Sequence, residues 1–267
     1  MPGVHRARQH RSTMPGVEAV SMVSDRRLAR HSHDQFGIGV LVFGGHRSWS
    51  GIGAVEAEPG AILSVNPGEI HDGAPVEGRP RGWRTLYFRP GILSEIAAEE
   101  GMPEMEIARP AFVDPALARR TLRLFRLATA PRPCPDAAEE ALLATVVHVL
   151  RRHGSRASPR LPASPDVRRA LARIDAAPAA AVPLAELARE CGASRFGLLR
   201  AFAREVGITP HAYRVDRRVR LARRLLAAGE APAAVAAAAG FADQSHLTRA
   251  FAERFGVTPA RYRAAVA

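Results

Sequence analysis

Leu198-Leu199-Arg200-Ala201-Phe202-Ala203 returns later in the chain as Leu247-Thr248-Arg249-Ala250-Phe251-Ala252, an offset of 49 residues. The same offset relates Gly207 to Gly256, Thr209 to Thr258, Pro210 to Pro259 and Tyr213 to Tyr262. A repeat of this length is one supersecondary unit used twice. Each copy reads as helix, turn, helix. In the first copy Leu184–Ala188 forms a short helix, Cys191-Gly192-Ala193 turns, and Ser194 caps a second helix running to about Val206. Its apolar face is Leu198, Ala201, Phe202 and Val206. In the second copy Pro232 starts a helix of Ala and Val, Gly240-Phe241 turns, and Asp243 caps a helix whose inner face is Leu247, Ala250, Phe251 and Phe255. Between the copies, Pro210 opens a long helix carrying Arg214, Arg217, Arg218, Arg220, Arg223 and Arg224.

A helix-turn-helix suits DNA because its second helix fits the major groove with its N-terminal half at the base edges. Arg pairs bidentately with guanine and Gln with adenine. The arginines of the connecting helix are expected to meet phosphates, which orient the protein without reading sequence.

Charge placement agrees. Of 267 residues, 38 are basic, all of them Arg, against 26 acids, a net charge of +12. Residues 1–30 carry +4, residues 31–115 carry −6, residues 116–160 carry +6 and residues 161–267 carry +8. A codon bias alone would spread arginine evenly and make no acidic segment; an acidic module followed by basic ones points to a polyanionic partner for the latter. No run approaches the ~18 apolar residues of a bilayer span, and Arg6, Arg8, His10 and Arg11 break the start too often for a signal peptide. Two cysteines, Cys134 and Cys191, make no disulfide framework. A soluble cytoplasmic protein is expected, with no membrane partner.

Residues 1–23 read as an unfolded tail. Met1-Pro2-Gly3-Val4 recurs as Met14-Pro15-Gly16-Val17 and Met22 follows, which leaves the translation start open. Residues 24–112 read as strands, among them Phe36–Phe43, Ala61–Val65 and Arg84–Phe88, each ended by Gly or Pro, the pattern of a sandwich or barrel. His31-Ser32-His33 precedes the first long strand, and Pro67-Gly68-Glu69-Ile70-His71 puts a third histidine after a turn. Trp83 and Tyr87 lie on one side of their strand by alternation. Residues 113–153 read as two helices, the first capped by Asp114 with Pro115 at its first position and the second capped by Asp136. They could cover the barrel or pair with a second copy. The stretch 154–165, with three Pro and three Ser, reads as a linker to the module at 166–267.

The H-x-H pair and the P-G-x-x-H histidine resemble those of the cupin barrel, whose motifs gather three histidines in one cavity. Three histidines can hold a divalent metal with an open position; Gln35 stands where a carboxylate ligand would be sought. These side chains therefore line a small-molecule pocket, hold a metal, or form hydrogen bonds at the barrel rim.

Ala237-x2-Gly240-Phe241-x3-Ser245-x-Leu247-x-Arg249-x-Phe251, followed by Gly256-Val257-Thr258-Pro259-x2-Tyr262-Arg263, resembles the AraC/XylS family of bacterial transcription regulators. The resemblance implies an α+β multidomain chain: a cupin-like barrel with flanking helices, then an all-α domain with two helix-turn-helix motifs. It implies a regulator of transcription, for instance an activator, rather than an enzyme. Its partners would be double-stranded DNA in the bacterial nucleoid, a small-molecule effector, a second copy and RNA polymerase, with no cofactor. Carried over by position, the DNA-reading residues are Arg195, Phe196, Leu199 and Arg200 in the first helix, and Gln244, Ser245, His246 and Arg249 in the second. The effector residues are His31, His33, His71, Trp83 and Tyr87. Two other readings remain: a metal-dependent cupin enzyme fused to a DNA-binding domain, with His31, His33 and His71 as ligands, and a DNA binder that ignores ligands.

Overall fold

A computed structural model describes residues 3–51, 53–102, 105–156 and 163–266. The chain divides into two units, Met1–Ser158 and Pro159–Ala265. The first unit begins with nine strands: β1 (His5–His10), β2 (Val17–Ser24), β3 (Leu28–His31), β4 (Phe36–Phe43), β5 (His46–Ser50), β6 (Gly53–Ala57), β7 (Ala61–Val65), β8 (His71–Pro75) and β9 (Arg81–Phe88). Helix α1 (Pro90–Glu99), strands β10 (Met105–Ile107) and β11 (Ala111–Val113), helices α2 (Pro115–Ala128) and α3 (Pro135–His153) and strand β12 (Gly154–Arg156) complete it.

The strands form a six-stranded sheet in the order β1-β2-β9-β4-β7-β11 and a four-stranded sheet in the order β3-β8-β5-β6. Every neighbouring pair is antiparallel. Alternation on the six-stranded sheet gives it two different faces. Val17, Ala19, Ile38, Val40, Leu86 and Phe88 pack against α1, α2 and α3 in one apolar core. The opposite face carries Met22, Leu41 and Trp83 in a second cluster and turns toward the four-stranded sheet, where Arg81 donates from Nε to His46 Nδ1 at 2.8 Å. Gly37 and Gly39 of β4 are needed there for space. A Cβ at Gly37 would come within 2.6 Å of Val65 and 2.9 Å of the Tyr87 ring, and one at Gly39 within 2.6 Å of Thr85 Oγ1.

Three expectations are corrected. Of the expected tail, residues 3–23 are not unfolded: β1 is a sheet edge with Arg6 and Arg8 exposed, and β2 pairs along the full length of β9. On an edge strand such as β1, alternating charges are compatible with pairing and discourage a further strand. Asp136 does not cap the second helix, which starts one residue earlier at Pro135 with Cys134 before it. Of the expected linker at 154–165, residues 157–162 lie outside the described residues; its first part, Gly154–Arg156, is β12, paired with β10, and its last residue, Pro165, begins α4.

Helix α2 does start at Asp114, whose Oδ1 accepts from Leu117 N–H at 2.9 Å. The same carboxylate joins the two helices: His148 and His153 of α3 each place Nε2 2.8 Å from Asp114 Oδ2. Burial opposes ionisation of Asp114, yet the hydrogen bonds from His148, Leu117 and His153 outweigh it and hold the carboxyl well below its usual range.

The second unit is helical: α4 (Pro165–Ala176), α5 (Leu184–Cys191), α6 (Arg195–Val206), α7 (Pro210–Ala227), α8 (Pro232–Ala238), α9 (Gln244–Phe255) and α10 (Pro259–Val266). The repeat has a packing reason. Phe202 meets Tyr213 edge-on at 5.5 Å, and the equivalent pair Phe251 and Tyr262 lies at 5.4 Å. Gly207 and Gly256 end α6 and α9 in the left-handed conformation, at φ 86° and 70°, which accounts for glycine at both.

The arginines of α7 depart from expectation. Arg217 Nε lies 2.7 Å from Asp175 and its guanidinium also bonds the Tyr213 hydroxyl. Arg218 donates to the carbonyls of Pro178, Ala179 and Ala180. Arg223 is buried beside the rings of Phe255 and Tyr262. These cations hold the α4–α5 connection and the second repeat onto α7.

Two stability measurements follow. Asp114→Ala is expected to cost about 1–3 kcal/mol at neutral pH, from a lost cap and two lost histidine acceptors. The depressed native pKa makes this contribution complete above the ordinary carboxylate value. It fades as pH falls from about 4 toward the native value, so denaturant melts of wild type and variant should converge in acid. Arg81→Leu leaves Ser24 O, Arg26 O and His46 Nδ1 without their buried donor; thermal melts should show a loss of about 1–3 kcal/mol.

Candidate effector site and nucleic-acid interface

Register brings the first two histidines together. His31 of β3 sits opposite His71 of β8, and their ring centroids are 4.5 Å apart. His33, beyond the end of β3, lies 4.9 Å from His31 and 5.1 Å from His71. One nitrogen from each ring lies within 4.8 Å of the other two. His31 and His33 are each 4% exposed. Nδ1 of His31 is 2.7 Å from Ala29 O, and Nδ1 of His71 is 3.0 Å from Glu69 O. A backbone carbonyl puts a proton on Nδ1, so in the neutral ring Nε2 is the acceptor nitrogen.

Tyr87 adjoins this group, 5.0 Å from His33. Trp83 belongs elsewhere: it packs in the apolar cluster with Met22, Leu41, Ala57 and Ala61, 5.8 Å from His46. Two neighbours escaped the sequence reading. Glu18 on β2 accepts from the Gln35 amide at 3.1 Å, and it lay in the stretch read as a tail. His46 is pushed down to about 3 by burial, then by Arg81 and His71, and stays a neutral imidazole. Nothing in its local sequence marks it, since its neighbours are gathered by two sheets. The Gln35 contact also shows what occupies the place of the missing carboxylate: an amide engaged with Glu18.

In the helical unit, Ser194 Oγ accepts from Gly197 N–H at 3.1 Å and Asp243 Oδ1 from His246 N–H at 2.7 Å, so α6 and α9 begin alike. Leu198 and Phe202 anchor α6, and Leu247 and Phe251 anchor α9, all fully buried. Arg195, Phe196 and Arg200 are exposed on α6, with Phe196 at 72%. Gln244, Ser245 and Arg249 are exposed on α9. His246 is half-buried with its ring against Phe241 at 5.2 Å, and Leu199 is half-buried as well. Among the described residues no helix is long and apolar enough to cross a membrane.

Known proteins match both units. Residues 20–147 match the family described as AraC-like ligand binding domain, and residues 187–265 match a helix-turn-helix domain family. The chain is 28% identical over 228 residues to the Bacillus subtilis protein named uncharacterized HTH-type transcriptional regulator YbfI, covering 83% of this chain and 82% of that one. It is similar in fold to ToxT from Vibrio cholerae O395, with a TM-score of 0.54 at 10% identity and 98% of each chain covered. Wild-type ToxT from strain SCE256 with unsaturated fatty acid bound gives a TM-score of 0.53 at 10% identity, over 100% of this chain and 96% of that one. A ligand-binding barrel unit followed by a doubled helix-turn-helix places this chain in the AraC family of transcriptional regulators.

Proposed function

We propose that α6 and α9 enter successive major grooves and that the histidine group of the barrel receives the effector. The observation that carries the DNA reading is the equivalence of α6 and α9. Both are capped at the same position, anchored by the same Leu and Phe, and left with exposed arginine outward. Arg200, Gln244, Ser245 and Arg249 supply base-edge hydrogen bonds, and Arg195 supplies a phosphate contact. Phe196 offers an apolar surface suited to a thymine methyl. The half-buried Leu199 and His246 contribute less, because part of each is occupied by its own unit. The chain acts as a cytoplasmic homodimer that recruits or blocks RNA polymerase, and not as an enzyme.

For the effector, the imidazoles with Tyr87, Glu18 and Gln35 offer hydrogen-bonding groups to a polar molecule. That chemistry differs from what an acyl chain requires, so the fatty acid of the ToxT structure is not carried over.

A second reading of the same site has support in the Nδ1–carbonyl contacts of His31 and His71. Ligating histidines commonly carry such an outer contact, which fixes the tautomer and points Nε2 at the ion. One nitrogen of each ring lies within 4.8 Å of the other two, and ligation at about 2.1 Å would draw the three rings inward. A bound ion would supply a Lewis-acidic centre for an effector oxygen or nitrogen.

Arg249→Ala should lower specific operator affinity by about 1–3 kcal/mol in gel-shift titrations and relax the preference at one base pair. Arg217→Ala should leave the salt dependence of DNA binding unchanged while lowering the melting temperature, because its partners are Asp175 and Tyr213. Zinc titration by calorimetry distinguishes the two readings of the histidines. One equivalent per chain, weakened at least ~10-fold by His33→Ala, supports the ion; no binding leaves the effector reading alone.

A further inference from the structure

The helical unit contains a cavity of about 210 Å³, outside the barrel unit and lined by residues of α4, α5, α6 and α7. Its walls are apolar: Ile174 of α4, Leu184 and Leu187 of α5, and Leu199 of α6. An apolar space of about 150 Å³ is enough to hold benzene, so this one accommodates a single substituted ring or a short acyl chain. One side differs. Arg214, from the first turns of α7, lines the cavity together with His211.

Arg214 is an unusual wall residue. It donates to Val182 O, and its Nη2 lies 3.4 Å from His211 Nδ1. Its Nε is buried with no hydrogen-bond partner. Among the described residues its partners are neutral; no carboxylate pairs with it. Of its neighbours on α7, Arg217 has Asp175 as a counter-ion, whereas Arg218, like Arg214, meets neutral acceptors, three carbonyls. The Arg214 side chain is half-buried, with its Nε shut away from solvent, and a charge-assisted hydrogen bond is the strong kind such a guanidinium can make. The positive end of the α7 dipole adds to the same potential.

We propose that this cavity is a second small-molecule site, separate from the barrel, that takes a small monocarboxylate with an apolar body. The ring or chain lies against Ile174, Leu187 and Leu199, and the carboxylate meets the Arg214 guanidinium. Charge decides the class: a neutral apolar molecule fills the space but leaves Arg214 without a counter-ion. Leu199 is at once a wall of the cavity and part of α6, so the ligand touches the helix assigned above to the major groove. The binding step does not depend on that assignment, because it is read without DNA.

The test is calorimetric titration of the full-length protein with benzoate, and with benzyl alcohol as its uncharged counterpart. Benzoate should bind at least ~10-fold tighter than benzyl alcohol, since only it forms the charge-assisted pair. Arg214→Gln, which keeps a donor for Val182 O, should bring the two to similar affinity. Ala177→Leu, which places a larger side chain on the cavity wall, should weaken both. Octanoate in place of benzoate covers a chain-like occupant. No binding of either carboxylate to wild type overturns the proposal. So does binding that survives both substitutions, because the ligand then sits elsewhere. A folded Arg214→Gln protein that still prefers benzoate by the wild-type factor overturns the role of the guanidinium.

Discussion

Strand β9 is the constraint on which the first unit depends. It pairs with β2 on one side and β4 on the other, and every second side chain faces the opposite way. Leu86 and Phe88 enter the core shared with the helices. Arg81, Trp83 and Tyr87 enter the interior, where they meet His46, the Met22 cluster and His33 in turn. A one-residue slip would exchange the two sets, placing a buried arginine among leucines and leucines among imidazoles. The glycines of β4 secure the same arrangement from the other side, since only a residue without Cβ lets Thr85 and Tyr87 lie across that strand.

The helical unit solves its own packing problem twice. A capped helix, a Phe–Tyr contact and a glycine stop recur, so both outward-facing helices are held by similar cores. Arginine has two uses here. Arg195, Arg200 and Arg249 stay in solvent, whereas Arg217, Arg218 and Arg223 replace carboxylate, carbonyl and ring contacts that would otherwise be left unmade. The net charge of +12 therefore overstates what is available to phosphates. In a chain without lysine, arginine also fills the internal positions where a planar fork of donors spans several acceptors.

Much of this was legible in the sequence, and the limits have physical causes. Caps such as Asp114, Ser194 and Asp243 act within three residues of themselves, so a local reading finds them. The repeat is visible because both copies obey the same packing rule. Strands β1 and β2 were missed because what orders them is the pairing of β2 with β9, far along the chain, with β1 added at the edge. The convergence of His31, His33 and His71 was suggested by spacing and by likeness to a barrel motif. The exclusion of Trp83 from that group was not, since alternation gives a side chain its face but not its neighbours.

What the sequence determined by itself is the order of modules, the doubled helix-turn-helix and the outward faces of α6 and α9, because each follows from periodicity and capping over short distances. Only the tertiary structure decided which cations are spent internally, that Gln35 engages Glu18 and His46 engages Arg81, and that Arg214 lines a cavity. Those facts depend on contacts between residues far apart in the chain, and burial, which sets their energies, is a property of the folded whole.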